Sequence, residues 1–425
     1  MKNVRALKEE SFTSTLRNHI AKIEFQLSDY RYPLTAQSVM GTWTKLTSDL
    51  LRSEYFGSTL DKNNGWLSDI VNPVIAGAKD NLEKAKRIYA YVRDNFTCTS
   101  HDAIYLDQSL KNLLKAKNGS VAEINLLLVA MLKYAHIDAD PLMLSTRSHG
   151  YTQAIYPIRS KFNYVICDAT INGQNYYLDA SQSHMGFGRL GYECYNGHAR
   201  IINADATPVD LTADSLLERS VTSVFIINDE KGNFSGSTQE SPGFYESYRL
   251  RNKIKDKGKG QLLDDIKKGF NLETQVSELS IDSLDKYDNP IAIKYNFEMK
   301  PEKEDIMYIN PMLGEGYKEN PFKSEERFYP VEMPYTIDET YLLQLEVPKD
   351  YVVDELPKQI MVKLNENDDG VFEYRISESN GTISLRSRLR IKRSVFLADE
   401  YEMLREFFSL VVKKHNEQIV LKKKK

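Results

Sequence analysis

The chain has 425 residues, a mass of 48.9 kDa and a formal net charge of −4. At ~150 residues per domain, this length predicts two or three domains. Aromatic residues make up 11% of the chain, too many for a mainly disordered protein, and the near balance of charges provides no overall field to attract nucleic acid. The longest unbroken apolar run, residues 126–132, is far shorter than the ~18 residues of a membrane helix.

The first half of the chain begins with an extended fragment and then becomes helical. Residues 23–27 alternate apolar and polar side chains, which predicts a strand. This strand has no sequence neighbour to pair with, so we expect residues 1–35 to be the tail of a β-rich domain that continues upstream. Apolar residues then recur at helical spacing, which predicts helices over residues 38–51, 66–78, 82–96 and 110–116.

A central helix follows, and its sequence is apolar around its whole circumference, which indicates burial on most sides. Ser120 is followed three residues later by Glu123, the pattern of a capping box, so the helix is predicted to start at Ser120. After it the hydrophobic period drops to two, which predicts strands over residues 141–146, 162–169 and 175–179. Helices followed by an antiparallel meander predict an α+β domain over residues 36–210.

The composition changes near Leu211, and we predict a second domain over residues 211–425. A helical pattern over residues 244–270 is interrupted at Gly258 and Gly260. Short strands joined by Pro, Gly and Asn turns predict a β-sandwich-like domain, with strands at residues 291–299, 341–347, 360–364, 372–376 and 383–391. An amphipathic C-terminal helix is predicted from Asp399 to about residue 415.

Nothing in the sequence indicates a metal or a cofactor, and we expect neither. The three cysteines, Cys98, Cys167 and Cys194, cannot all pair, and no Cys/His group has zinc-ligand spacing. No glycine-rich phosphate-binding pattern is present.

The order of elements around Ser120 is typical of one kind of enzyme site. A small residue at the start of a buried helix is followed by a strand, and a second strand ends in Asp179. In cysteine-nucleophile sites, the helix N-terminus lowers the pKa of the thiol, a strand histidine takes the proton, and an acid on the next strand orients that histidine.

With these elements in place, the chain resembles the transglutaminase-like superfamily, whose core is papain-like. The resemblance covers residues 85–191 and rests on the strings NGS at 118–120, FNYVI at 162–166 and YLDA at 177–180. In active members the position of Ser120 holds cysteine and that of Tyr164 holds histidine, whereas Asp179 matches the family acid. The resemblance therefore implies a papain/transglutaminase-like fold in which one of three catalytic residues remains, and no catalytic residue is expected to act.

The flanking strings resemble a subgroup of exported gram-negative proteins. In that subgroup, β-rich domains of unknown function precede and follow the transglutaminase-like domain. The supporting strings are STR at 145–147, NPFK at 320–323 and YPV at 329–331. The resemblance implies a periplasmic or envelope-associated location, although no basic-then-apolar signal segment follows Met1.

Three functions remain open from the sequence. The leading expectation is a pseudo-enzyme: a non-catalytic binding or scaffold module of a cell-envelope protein, whose cleft binds an extended peptide or a peptide-bearing cell-wall or surface polymer. One alternative is a weak amide hydrolase or acyltransferase that uses Ser120, or Cys98 with His101 three residues later. The other is a purely structural spacer with a filled cleft. No nucleic-acid partner and no transmembrane segment are expected.

Overall fold

The computed structural model describes residues 6–60, 64–229, 233–270, 274–300 and 304–425. The chain divides into two compact units. The first contains Ser14–Ala213, and the second contains Glu10–Thr13 together with Asp214–Lys425. The division after Ala213 lies two residues beyond the predicted change at Leu211.

The first unit combines five α-helices with a five-stranded antiparallel sheet among its described residues. The helices are α1 Trp43–Arg52, α2 Ser68–Ile75, α3 Asn81–Asn95, α4 Leu110–Ala116 and α5 Val121–Tyr134. The strands are β1 Asp29–Tyr30, β2 Gln37–Ser38, β3 Thr97–Ser100, β4 Asn118–Ser120, β5 Asp138–Leu144, β6 Tyr164–Ile171, β7 Gln174–Leu178, β8 Gly197–Ile201 and β9 Pro208–Leu211. The main sheet has the order β7-β6-β5-β8-β9, and β3 pairs with β4 in parallel.

The helices of this unit start where the sequence supplies a cap. Thr42, Asp80 and Ser109 precede α1, α3 and α4, and the side chain of each accepts a hydrogen bond from a backbone N–H of the first turn. The helix α5 is buried at every position from Val121 through Leu132 and packs between the other helices and the sheet. The predicted all-round burial of the central helix is therefore confirmed.

One predicted strand of this unit is wrong. Residues 21–28 have no assigned secondary structure, and the nearest pairing is the short ladder between β1 and β2. The side chains of Ile23, Phe25 and Leu27 are 77%, 94% and 57% exposed, so no described residue gives this segment a neighbouring strand or an apolar surface. Alternation alone does not form a strand without such a partner. The assignment of residues 1–35 to an upstream domain stays a prediction.

The second unit is β-rich. Its helices are α6 Phe244–Lys257, α7 Lys259–Gly269 and α8 Tyr401–His415. Its strands are β10 Leu217–Asn228, β11 Phe234–Ser241, β12 Thr274–Asp282, β13 Ala292–Met299, β14 Ile306–Ile309, β15 Val331–Glu332, β16 Thr336–Glu346, β17 Tyr351–Glu355, β18 Ile360–Lys363, β19 Gly370–Ser379, β20 Thr382–Ile391, β21 Val395–Phe396 and β22 Ile419–Lys423. The predicted α+β fold class, with a β-rich second domain that carries a helix near its end, is confirmed.

Two sheets and a helix share one apolar core in this unit. The larger sheet has the order β12-β13-β11-β10-β16-β20-β19-β18, and the smaller has the order β14-β22-β17. The apolar face of α8 lies in the same core, with Leu404, Phe408 and Val411 at 0%, 1% and 0% exposure. The aromatic rings of Phe408 and Phe322 pack edge to face at 5.2 Å.

Two features of this unit were not predicted from the sequence. The strands β10 and β16 pair in parallel, although all their other neighbours in the sheet are antiparallel. The helix α8 does not end the chain, since β22 follows it and joins the smaller sheet between β14 and β17. No helix in the described ranges is long and apolar enough to cross a membrane.

Candidate functional site

The start of α5 is fixed by a capping box. The Ser120 N–H donates to Glu123 Oε2 at 2.8 Å, and the Glu123 N–H donates to Ser120 Oγ at 3.4 Å. Glu123 also accepts the backbone N–H groups of Asp107 and Gln108 at 3.1 and 2.9 Å. A Cβ at Gly119 would lie 2.5 Å from Glu123 Oε2, so glycine is required beside this carboxylate. The predicted cap at Ser120 is confirmed.

The sheet brings Tyr164 and Asp179 together. Tyr164 is the first residue of β6, and Asp179 follows directly after β7, the antiparallel neighbour of that strand. The Tyr164 hydroxyl donates to Asp179 Oδ2 at 2.8 Å. Asp179 is completely buried, and it accepts further hydrogen bonds from the backbone N–H and the hydroxyl of Ser181 at 3.0 and 2.6 Å.

Asn125 connects the helix α5 to this pair. Its side-chain amide donates to Asp179 Oδ1 at 2.9 Å and to the Val165 carbonyl at 2.9 Å, and its carbonyl oxygen accepts the Ala180 N–H at 2.9 Å. The sequence reasoning missed this residue. A single polar residue inside the apolar run of a buried helix was the feature that could have revealed it, because such a residue needs internal hydrogen-bond partners.

Cys98 lies beside the start of α5. In the parallel pairing of β3 with β4, Cys98 is opposite Gly119 and Ser100 is opposite Ser120. The Cys98 Sγ is 3.6 Å from His101 Nδ1 and donates to the Ser100 carbonyl at 3.3 Å. The structure thus places the alternative thiol close to the predicted site.

His101 also contacts the residues of that site. Its ring is stacked on the Tyr164 ring, with the ring centroids 6.3 Å apart, and its Nδ1 is 3.4 Å from the Tyr164 hydroxyl. The Gln182 Nε2 is 3.4 Å from the same nitrogen and donates to the Tyr164 hydroxyl at 3.0 Å. The sequence contained no pattern that joined Gln182 or Tyr164 to His101.

The protonation states of the site follow from its burial. Burial raises the pKa of Tyr164 well above its usual range, and the negative charge of Asp179 raises it further, so the phenol stays protonated. Burial also raises the pKa of the Cys98 thiol to about 11, with the charges of Asp179 and Glu123 adding to the effect. At neutral pH, Tyr164 is a hydrogen-bond donor and Cys98 is a neutral thiol.

Of the three site residues predicted from the sequence, only two are joined by a hydrogen bond. Tyr164 and Asp179 are hydrogen-bonded, while Ser120 lies at the helix start with its hydroxyl engaged in the cap. Among the described residues, no hydrogen bond joins Ser120 to Tyr164 or Asp179. Nor does any group of three or more His, Cys, Asp or Glu side chains in the described ranges have an arrangement that could hold a metal ion.

These positions lie in an α+β domain, at the start of α5, at the start of β6 and directly after the adjacent strand β7. Residues 68–169 match the family described as the transglutaminase-like superfamily, and this part of the chain is a transglutaminase-like domain. Residues 305–421, in the second unit, match a family described only as a domain of unknown function, DUF3858.

One solved structure is similar over most of the chain. It is the crystal structure of a protein from Parabacteroides distasonis that is described as a candidate protease. The similarity covers 90% of this chain and 59% of the other, with 13% sequence identity and a TM-score of 0.53. The chain therefore spans about three fifths of that protein, and the likeness shows the fold alone. No curated protein is significantly similar to the chain.

Proposed function

We propose that the first unit is a non-catalytic transglutaminase-like module of a cell-envelope protein. The observation that carries the proposal is the hydrogen bond from Tyr164 to Asp179, at the position that the resemblance gives to the catalytic histidine. A general base must accept a proton near the working pH, and a buried phenol with a raised pKa does not. The partner of Asp179 is a fixed donor rather than a proton carrier.

Ser120 supports the same conclusion. Its hydroxyl accepts the Glu123 N–H, and its own N–H is bound to the Glu123 carboxylate. A serine nucleophile needs a base to take its proton, and the described hydrogen bonds of Ser120 include none. The helix cap accounts for both polar groups of the residue.

A papain-like groove that has lost its chemistry can still bind an extended chain. We propose a peptide, or a peptide-bearing cell-wall or surface polymer, as the ligand. The proposed envelope location is supported by the resemblance to exported gram-negative proteins.

Binding would be measured by calorimetry with soluble cell-wall peptides. The variant Gln182→Ala should bind more weakly, because it removes an amide beside Tyr164, whereas Gln174→Ala, on the exposed side of β7, serves as the matched control. Equal affinities of wild type and both variants would argue for a spacer.

The absence of turnover is tested directly. Wild-type protein incubated with glutamine- and lysine-bearing peptides, or with an activated ester, should give only the background rate. The double variant Ser120→Cys with Tyr164→His restores the residue types of active members beside Asp179 and should gain a thiol that iodoacetamide alkylates at neutral pH. Wild-type turnover that disappears in Ser120→Ala would contradict the proposal.

A second candidate function rests on the 3.6 Å contact between Cys98 Sγ and His101 Nδ1. This pair favours a weak hydrolase or acyltransferase. The raised pKa of Cys98 opposes it, because the thiolate is the reactive form.

The pH dependence of Cys98 alkylation decides between the two functions. An unactivated thiol with a pKa of about 11 should react ~10-fold faster for each unit of pH up to that value. The variant Cys98→Ser identifies the labelled residue, since Cys167 and Cys194 are buried. A rate that is already constant near neutral pH would indicate an activated thiolate and favour the enzyme.

A further inference from the structure

The outer face of the larger sheet in the second unit carries an unusual row of arginines. On β20, Arg386, Arg388 and Arg390 alternate with the buried residues Leu385, Ser387 and Leu389, so the three guanidinium groups point away from the core. We define the arginine face by these three residues and their cross-strand neighbours, which are Arg219, Arg375, Asp338 and Glu373.

The strand register places these side chains next to one another. Arg386 lies directly opposite Arg375, and Arg388 lies opposite Glu373. On the other side of β20, Arg390 is opposite Asp338, which in turn is opposite Arg219 on β10. Two arginines directly opposite each other repel, so this register requires anions nearby.

The chain supplies two carboxylates to five guanidinium groups. Asp338 receives a bidentate pair of hydrogen bonds from Arg388, at 2.8 and 2.9 Å, and lies 3.3 Å from Arg219 Nε. Glu373 binds Arg386 Nη1 at 2.6 Å and also pairs with Arg375. Three positive charges therefore remain in excess on the face.

The arginine side chains that carry this excess charge are accessible to solvent. The side chains of Arg219 and Arg375 are 64% and 63% exposed, and that of Arg386 is 40% exposed. Arg390 makes no ion pair within 4.0 Å among the described residues, although its charge is one of those that lower the pKa of Asp338 against the effect of burial. At the end of the face, Asp368 pairs with Lys363, and the charges of Lys392 and Arg390 also lower the pKa of its carboxyl group.

We propose that the arginine face binds an extended peptide segment with acidic residues at alternating positions. Alternate side chains of an extended chain are ~6.8 Å apart, the same spacing as alternate arginines along β20. The internal carboxylates already show the mode of binding, since each is held between two arginines. Guanidinium groups favour carboxylates through paired hydrogen bonds. This surface lies in the second unit and is independent of the function proposed for the first.

The test uses a labelled peptide, Thr-Glu-Thr-Glu-Thr-Glu-Thr, titrated against the full chain by fluorescence anisotropy. The double variant Arg375→Gln with Arg390→Gln removes two charges but leaves Glu373 paired with Arg386 and Asp338 paired with Arg388. Its affinity should be ~10-fold lower, and less dependent on salt, because two exposed ion pairs are lost.

The matched control is Arg249→Gln, which removes an arginine that is 62% exposed on α6 and paired with Glu246. This variant should bind the peptide as wild type does, and a peptide with its three glutamates adjacent should bind more weakly than the alternating one. The proposal is overturned if the double variant binds as wild type does, if the control loses affinity equally, or if the alternating peptide does not bind. It is also overturned if single-stranded DNA of equal charge binds more tightly than the peptide, since the partner would then be a phosphate polymer.

Discussion

Asp179 shows how a single buried carboxylate organises the hydrogen bonds around it in the transglutaminase-like domain. Four donors from three residues surround it: the Tyr164 hydroxyl, the Asn125 amide, and the N–H and hydroxyl of Ser181. A buried charge is tolerated only when its hydrogen-bonding capacity is filled. The hydrogen bonds of these residues to Asp179 therefore stabilise the folded domain.

The Tyr164→Phe substitution tests this stabilising role. It removes one donor from the buried carboxylate while keeping the aromatic ring, so the free energy of unfolding of the first unit should fall by ~1–3 kcal/mol. Both tryptophans, Trp43 and Trp66, lie in this unit, so urea denaturation followed by tryptophan fluorescence reports on it.

The control for this measurement is Tyr55→Phe, because Tyr55 is 60% exposed in the same unit. Its substitution should change the unfolding free energy little. A Tyr164→Phe protein as stable as wild type would show that the hydrogen bond to Asp179 contributes nothing net.

At the scale of elements, the start of α5 is the point where sequence pattern and structure agree most closely. Ser120 and Glu123 form the reciprocal bonds that their spacing predicts. The sequence pattern did not show that Glu123 also accepts the backbone N–H groups of Asp107 and Gln108 from the preceding loop. The carboxylate therefore holds a loop as well as a helix end.

This difference predicts unequal effects of two substitutions. Ser120→Ala removes one capping acceptor and should cost ~1 kcal/mol. Glu123→Ala leaves the buried N–H of Ser120 and the partly buried N–H groups of Asp107 and Gln108 without their acceptor. It should cost more than Ser120→Ala, since a buried unsatisfied group alone costs ~1–3 kcal/mol. Both values are measured by urea denaturation, and equal losses would show that water replaces the carboxylate at the loop.

Among the other elements, one was predicted at both ends and another was not predicted at all. The helix α4 matches its predicted bounds of 110–116, because Ser109 caps one end and Lys117 adopts a left-handed conformation at the other. The strand β22 was not predicted, because its lysine-rich sequence has little apolar alternation beyond Ile419 and Leu421. Both of these side chains are fully buried in the second unit, and the two neighbouring strands complete the ladder.

At the scale of the whole molecule, we expect the stability to depend on pH partly through two glutamates, Glu240 and Glu339. Both line a cleft of about 370 Å³ in the second unit. Burial, together with the charge of Glu315, raises the pKa of Glu240 to about 7. Burial likewise raises the pKa of Glu339 to about 7. The unfolded chain ionises these groups near 4.5, so their contribution to stability is full below that pH and is lost as the pH rises through about 7.

The substitution Glu240→Gln isolates this effect. The amide does not ionise, so the stability of the variant relative to wild type should increase as the pH rises from about 5 to about 8. Thermal unfolding by circular dichroism measures the difference at each pH. Burial also lowers the pKa of His415 to about 4, so this residue decreases the stability of the folded protein toward acid. The decrease is the same in wild type and in the variant, and it does not affect the difference between them.

Glu319→Gln is the control, because Glu319 is 75% exposed and paired with Lys323. Its difference from wild type should stay nearly constant with pH. A constant difference for Glu240→Gln as well would show that Glu240 ionises normally in the folded protein.

The sequence by itself determined the starts of α4 and α5 and the burial of α5, because capping and periodicity depend on residues only a few positions apart. The tertiary structure alone decided that His101 and Gln182 meet at Tyr164, and that β10 pairs in parallel with β16. These contacts join residues far apart in the chain, and their formation depends on how the helices and sheets pack rather than on any local pattern. The arginine face has the same origin, since only the strand register places five arginines around two carboxylates.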